Sequence, residues 1–192
     1  MRRRMGAEYF EELYRASEDP WDLATSEYER GKYDATLAAL GDRVFTIALE
    51  IGCSIGTLTE RLAPRCGTLL AVDCAPTAVA RARRRVAPLV NVTVARRSIP
   101  EEMPEGRFDL IVCSEVLYYW DRDLLSAAWP RLVDALAPGG SLLAVHWRGP
   151  VRHYPQGGDA VHELIRDNGA GLTLARAEVK PRYRIDRFDL AA

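Results

Sequence analysis

Apolar positions along the chain alternate between two periods. Short apolar runs at 44–50, 68–73, 90–95, 108–114 and 141–147 read as strands, and the stretches 57–63, 76–87, about 122–136 and 159–167 carry helical spacing. Residues 172–179 and 182–190 read as a closing antiparallel pair. Strand–helix alternation of this kind predicts an α/β, Rossmann-like fold: a seven-stranded, mostly parallel, doubly wound sheet with an antiparallel final strand. Ahead of it, residues 1–42 predict a helical arm in two pieces, split at Asp19-Pro20-Trp21. The second piece opens on Ser26-x-x-Glu29, a capping-box pattern, and closes near Gly41. Tyr33, Leu37 and Leu40 recur at helical spacing and are expected to pack on the sheet. Pro130 lacks an amide hydrogen and predicts a kink or a fresh start inside the helix over 122–136. The whole reads as one domain, 1–192, with the arm at 1–42 and the core at 43–192.

The richest chemistry lies where the first strand meets its helix. The run Val44–Leu49 ends in Glu50, passes a turn with Gly52 and Gly56, and enters a helical pattern at Thr57. Glycine lets such a turn close tightly and approach a ligand, toward which the free N–H groups of the following helix point. Seventeen residues past Gly56 the second strand ends in Asp73, well placed to accept hydrogen bonds from two ribose hydroxyls. These features predict a nucleoside-binding crevice at the carboxyl ends of the strands, beside strand one. The Gly52-x-x-x-Gly56 spacing departs from the dinucleotide fingerprint G-x-G-x-x-G. Glu50 would repel a pyrophosphate but suits a ligand carrying an ammonium and a sulfonium.

With these residues the chain resembles class I S-adenosylmethionine (SAM)-dependent methyltransferases. Further segments follow in the family's order: Val92–Pro100, Phe108–Tyr119, and Leu136–Val145 with Pro138-Gly139-Gly140. The resemblance implies a cofactor set of Trp21, Tyr28, Glu50, Gly52, Cys53, Gly56, Asp73, Cys74, Ser98, Ile99, Ser114, Glu115 and Val116. Ser98 stands where many members place an aspartate against the adenine amino group. Trp21 and Tyr28 either close over the methionyl part of SAM, with Arg30 or Lys32 on its carboxylate, or Trp21 simply anchors the arm. S-adenosyl-L-homocysteine is the implied product. A closer likeness is to the nodulation protein S family, through Asp19-Pro20-Trp21, Ser26–Arg30, Leu49–Cys53, Leu58–Pro64 and Ser114–Tyr119. Its namesake members N-methylate the free amine of a deacetylated chitin-type oligosaccharide, which implies a small amine acceptor, sugar-linked.

Three residues stand out as catalytic candidates. Glu115, after the fourth strand, is suited to bind an incoming ammonium or accept its proton, or else contacts cofactor or a helix N-terminus. His146, ending the fifth, changes charge near neutral pH and either removes a proton or is a structural, hydrogen-bonded histidine. Tyr118 on the same lip either binds the acceptor or lines the methyl channel. Gly149–Gly158 reads as a mobile loop over the acceptor pocket. No metal is expected, since His146, His153, Asp159 and His162 lack a ligand spacing. An O-methyltransferase for a small acceptor and a non-catalytic SAM-binding subunit remain as alternatives.

Composition narrows the partners. Lys and Arg number 26 against 27 Asp and Glu, a net charge of −1, which offers no long-range attraction to nucleic acid or an anionic membrane. Arg81, Arg83, Arg84 and Arg85 read as a solvated helix face rather than a binding patch. Met1-Arg2-Arg3-Arg4 is not followed by an apolar core, and no run reaches membrane-spanning length, so a cytoplasmic monomer or homodimer is expected. Cys53, Cys66, Cys74 and Cys113 form no C-x-x-C pair and read as small packing thiols.

Overall fold

The computed structural model describes residues 4–192; Met1–Arg3, part of the basic N-terminal stretch, lie outside the described residues. Elements follow the order α1 (Ala7–Ala16), α2 (Glu27–Ala39), β1 (Phe45–Ile51), α3 (Thr57–Leu62), β2 (Cys66–Asp73), α4 (Pro76–Arg85) and β3 (Val92–Arg96). Then come β4 (Phe108–Ser114), α5 (Arg122–Asp134), β5 (Leu136–Trp147), α6 (Gly158–Asn168), β6 (Leu172–Val179) and β7 (Tyr183–Leu190). Short 3-10 turns occupy Ala63–Arg65 and Leu117–Tyr119. The strands form a seven-stranded sheet in the order β3-β2-β1-β4-β5-β7-β6. The pairs β1–β2, β2–β3 and β4–β5 are parallel, and β7 runs antiparallel to both β5 and β6. Contacts divide the chain into two compact units, Gly6–Pro104 and Glu105–Ala192, the latter joined by Arg4 and Met5.

In the Gly6–Pro104 unit, Ala71, Val79, Ala82, Val86 and Val94 make one apolar cluster. A second cluster joins Tyr14 of α1 to Ile55, Ala75 and Ala78, with Phe10, Trp21 and Leu23 against it. Ser26 caps α2 by accepting from the Glu29 amide, as the capping pattern predicts. The buried face of α2 is more polar than expected. Tyr33 and Leu40 are buried and Leu37 half-buried, yet Lys32 is buried too, its Nζ 2.8 Å from the Glu29 carboxylate. The arginines of α4 lie on its solvated side, Arg83 and Arg84 exposed and Arg81 and Arg85 half-buried, and three of them also reach backbone carbonyls. Arg81 donates to the Ser17 and Glu18 carbonyls, Arg83 to Val94 O, and Arg85 to Ile55 O. Three of the four therefore tie α4 to neighbouring backbone, because a guanidinium presents several donors in a fixed fork.

In the Glu105–Ala192 unit, α5 runs unbroken through Pro130, so no fresh start occurs there. The carbonyl that proline leaves without its helical donor, Ser126 O, receives the Asn168 amide at 3.4 Å instead. Strand β5 begins five residues earlier than expected. Its Gly139-Gly140 step coincides with an irregularity in the pairing with β4 between Phe108 and Leu110. Gly139 has φ +73°, and a Cβ on Gly140 would lie 2.7 Å from Ala137 O, so both positions require glycine. Trp129 is fully buried and meets Phe188 edge-on at 5.7 Å.

Candidate functional site

The Gly6–Pro104 unit gathers two carboxylates at the ends of adjacent parallel strands. Ile51 pairs with Val72, placing Glu50 and Asp73 one residue either side of that register. The turn after β1 is held by the Gly52 and Cys53 amides, which donate to Val72 O at 2.8 and 3.0 Å. Gly52, Ser54 and Gly56 all have positive φ, at 75°, 54° and 82°. A side chain on Gly56 would also crowd Ala82 of α4 at 3.1 Å. The glycine spacing thus has two causes, backbone conformation and close packing on α4. Helix α3 is only six residues long and continues as a 3-10 turn.

Asp73 is nearly buried, with Oδ2 accepting from the Ser54 amide at 2.9 Å and Oδ1 from the Ala75 amide at 2.9 Å. Burial raises its pKa, and those two amides oppose the rise. The Cys74 amide and thiol also donate to it, so its orientation is set by the chain around the turn. Glu50 is 2% exposed, and burial pushes its carboxyl to about 8; the neighbouring Thr59 hydroxyl opposes the rise and the Asp73 charge adds to it. Among the described residues Glu50 Oε2 has no hydrogen-bond partner. A buried, unpaired carboxylate oxygen calls for a cation or a donor.

Beside this pair stands Tyr14, which sequence reasoning missed. The Tyr14 hydroxyl donates to Ser54 Oγ at 2.5 Å, joining α1 to the turn, and burial raises its pKa well above the usual phenol value. Half-buried Trp21 meets the Tyr14 ring edge-on at 5.5 Å and packs against the Tyr14 cluster. The only signal for Tyr14 was its i, i+4 spacing from Phe10. Tyr28 is half-buried, with Lys32 Nζ 5.3 Å from its ring centroid. Lys32 is engaged with Glu29, and Arg30 is exposed beside Glu27 at 3.6 Å.

Cys53 packs as the small buried thiol that the sequence suggests. Its thiol is buried among Ala71, Val79 and Val94, so only its backbone belongs to the turn. Cys74 is half-buried and donates to the Asp73 carboxylate. It also lines a groove of about 370 Å³ with Glu8, Glu11, Glu12, Arg15 and Arg96. Ile99 is buried, and the half-buried Ser98 donates its amide to Glu102 Oε2 at 2.6 Å. All four cysteines are free thiols.

The Glu105–Ala192 unit carries the other candidates. Ser114 ends β4; Glu115 follows with φ +57°, and the half-buried Val116 leads into the Leu117–Tyr119 turn. A left-handed non-glycine residue after a strand re-aims its side chain. Glu115 Oε2 accepts from the Tyr118 hydroxyl at 2.5 Å and the Trp147 amide at 2.9 Å. Burial, then the Glu115 charge, raises the Tyr118 pKa well above its usual value, so this phenol keeps its proton and donates. Tyr118, Tyr119 and Tyr154 pack together at centroid distances of 4.7 to 5.1 Å. Tyr154 lies on the glycine-rich segment read as mobile. That segment is tied down, Gln156 Nε2 donating to Trp120 O at 2.9 Å.

His146 does not stand open as a proton acceptor. It is fully buried, and its Nε2 lone pair receives the Leu117 amide at 3.1 Å. Its Nδ1 lies 3.1 Å from His162 Nε2, and His162 Nδ1 lies 2.8 Å from Asp186 Oδ2. The physical reason for the correction is that a backbone N–H only donates and has already claimed the nitrogen a base would use. Among the described residues no group of His, Cys, Asp or Glu is arranged to hold a metal, nor is any helix long and apolar enough to cross a membrane.

Comparison with known proteins bears on both constellations. The family model described as Nodulation protein S (NodS) matches residues 8–170. Nodulation protein S of Sinorhizobium fredii is 37% identical over 130 residues, 67% of this chain and 60% of that protein. The matches to the first four nodulation relatives span only 55% to 62% of those proteins' own lengths. Among solved structures, the N-methyltransferase NodS from Bradyrhizobium japonicum, in complex with S-adenosyl-L-homocysteine, superposes with TM-score 0.83 at 29% identity. That match covers 94% of this chain and 97% of that one. A Pseudomonas syringae methyltransferase structure, itself a tentative assignment, reaches 0.75 at 34% identity, covering 85% and 99%. The fold is that of class I methyltransferases.

Proposed function

This chain belongs to the nodulation protein S family, and from that membership we propose that it is a SAM-dependent N-methyltransferase acting on a small amine, in the first instance a free amino sugar. The observation that carries the reading is buried Glu50, with an unpartnered carboxylate oxygen, beside Asp73 at the ends of two adjacent parallel strands. That donor set fits the cofactor: an ammonium offers the charge that Glu50 lacks, and a ribose offers the hydroxyls that Asp73 accepts. A pyrophosphate brings no cation for Glu50 and would meet the Asp73 carboxylate.

When bound, SAM supplies an electrophilic methyl on a positively charged sulfur. In this reading Glu50 holds the cofactor's cationic end, and Asp73 orients the ribose from its two amide anchors. Glu115 receives the acceptor's N–H and takes up its proton, so that the nitrogen lone pair is available. Tyr118, with its proton retained, fixes the carboxylate's orientation by donating to Oε2. Alignment supplies most of the rate, roughly 7–11 kcal/mol in well-oriented systems.

The test is transfer of labelled methyl from SAM to a free amino-sugar oligomer and to its N-acetylated twin. Label on the free amine alone is expected. Label on both, at a hydroxyl, would replace the reading with O-methylation. Label on neither, with S-adenosylhomocysteine still bound in calorimetry, would reject this acceptor class.

A further inference from the structure

Behind the Leu117–Tyr119 turn lies a line of buried polar groups that the proposed chemistry does not use. His146 on β5, His162 on α6 and Asp186 on β7 are each fully buried. The order of contacts is Leu117 N–H to His146 Nε2, His146 Nδ1 to His162 Nε2, and His162 Nδ1 to Asp186 Oδ2, at 3.1, 3.1 and 2.8 Å. Arg166 closes the far end with two hydrogen bonds to Asp186, at 2.7 and 2.6 Å.

Proton placement along this line follows from its two ends. A backbone amide donates and never accepts, so His146 Nε2 carries no hydrogen. Neutral His146 therefore bears its proton on Nδ1 and donates it to His162 Nε2. His162 then bears its own on Nδ1 and donates to the carboxylate. Reversing either ring would set two donors, or two lone pairs, against each other in a dry interior.

We infer that His162, backed by Asp186 and Arg166, is a positioning residue that locks His146 in its Nδ1–H form and thereby holds the turn that presents Tyr118 to Glu115. The inference rests on the reading of Glu115 and Tyr118 given above. Around His162 the charged groups are Asp186 and Arg184 on β7 and Arg166 and Asp159 on α6. Burial lowers the His162 pKa, Asp186 opposes the fall, and Arg184 and Arg166 add to it, in keeping with a neutral ring. The donors face one another in series and converge on no common point, unlike a metal site.

The chain has three histidines, so ring nitrogen shifts in long-range proton–nitrogen NMR spectra of the full chain can be assigned by single His→Gln variants. Nδ1–H tautomers are expected for both His146 and His162, with exposed His153 as the internal reference. His162→Gln can present its amide oxygen to His146 and its amide nitrogen to Asp186; it should keep His146 in the Nδ1–H form and retain turnover. His162→Leu should release His146 from that form and lower kcat by about 10²-fold, with KM and S-adenosylhomocysteine affinity moving by no more than about threefold. An Nε2–H signal from His146 in the unmodified chain would overturn the inference, as would full turnover in His162→Leu. The tautomer readout needs no acceptor, so it stands or falls separately from the amine reading. It also holds through His162→Gln should the leucine variant not fold.

Discussion

Glu50 shows how one residue ties folding to ligand binding. In the folded chain its carboxyl titrates near 8, against an ordinary value of 4.5. Between those values the native state keeps a proton that the unfolded chain has released. Stability therefore falls as pH rises from about 4.5 toward 8. Glu50→Gln removes this dependence. At pH 8 the ligand-free variant should melt higher, by about 2–4 °C for each kcal/mol that the buried proton accounts for in a chain of this size. Near pH 4.5 the two proteins should melt together. The same variant should bind SAM at least about tenfold more weakly, a loss of roughly 1.4 kcal/mol, because a neutral amide cannot balance an ammonium. Thermal scans at both pH values with calorimetry check this; an equal melting difference at both would remove the buried proton from the account.

Helix α5 poses the matching question for an element. Proline at position 130 deletes one helical hydrogen bond, and the sequence gives no hint of the replacement, because Asn168 is 42 residues away from Ser126. Asn168→Ala should cost about 0.5–1 kcal/mol, toward the low end for a hydrogen bond of 3.4 Å. In a Pro130→Ala background residue 130 supplies its own amide, and the same substitution should cost close to nothing. Urea unfolding of the four chains gives the coupling, and equal costs in both backgrounds would sink the explanation. A strand repeats the lesson. Period and composition marked β5 from 141, while its start at Leu136 depends on pairing with β4 across a glycine irregularity.

For the molecule as a whole, charge decides what it does not attract. Net charge is −1, and Arg81, Arg83 and Arg85 each give at least one donor to a backbone carbonyl. The chain should pass through a polyanion column at about 0.1 M salt, where screening already reaches about 10 Å; retention that falls with added salt would contradict this.

The sequence by itself determined the strand–helix alternation, the turn between Glu50 and Gly56, and Asp73 at the end of β2. These are local features: periodicity, backbone freedom and position at a strand end are written in neighbouring residues. The chain's own residues also carried the family resemblance. Only the tertiary structure decided that Tyr14 meets Ser54 across 40 residues and that the Lys32–Glu29 pair is buried. It also moved His146 from an open base to the middle of a buried relay with His162 and Asp186. A histidine's role depends on which partner claims each ring nitrogen, and those partners lie 16 to 29 residues away in the chain. Pattern records what a residue is beside in sequence; burial and hydrogen bonding decide which of its atoms remain free for chemistry.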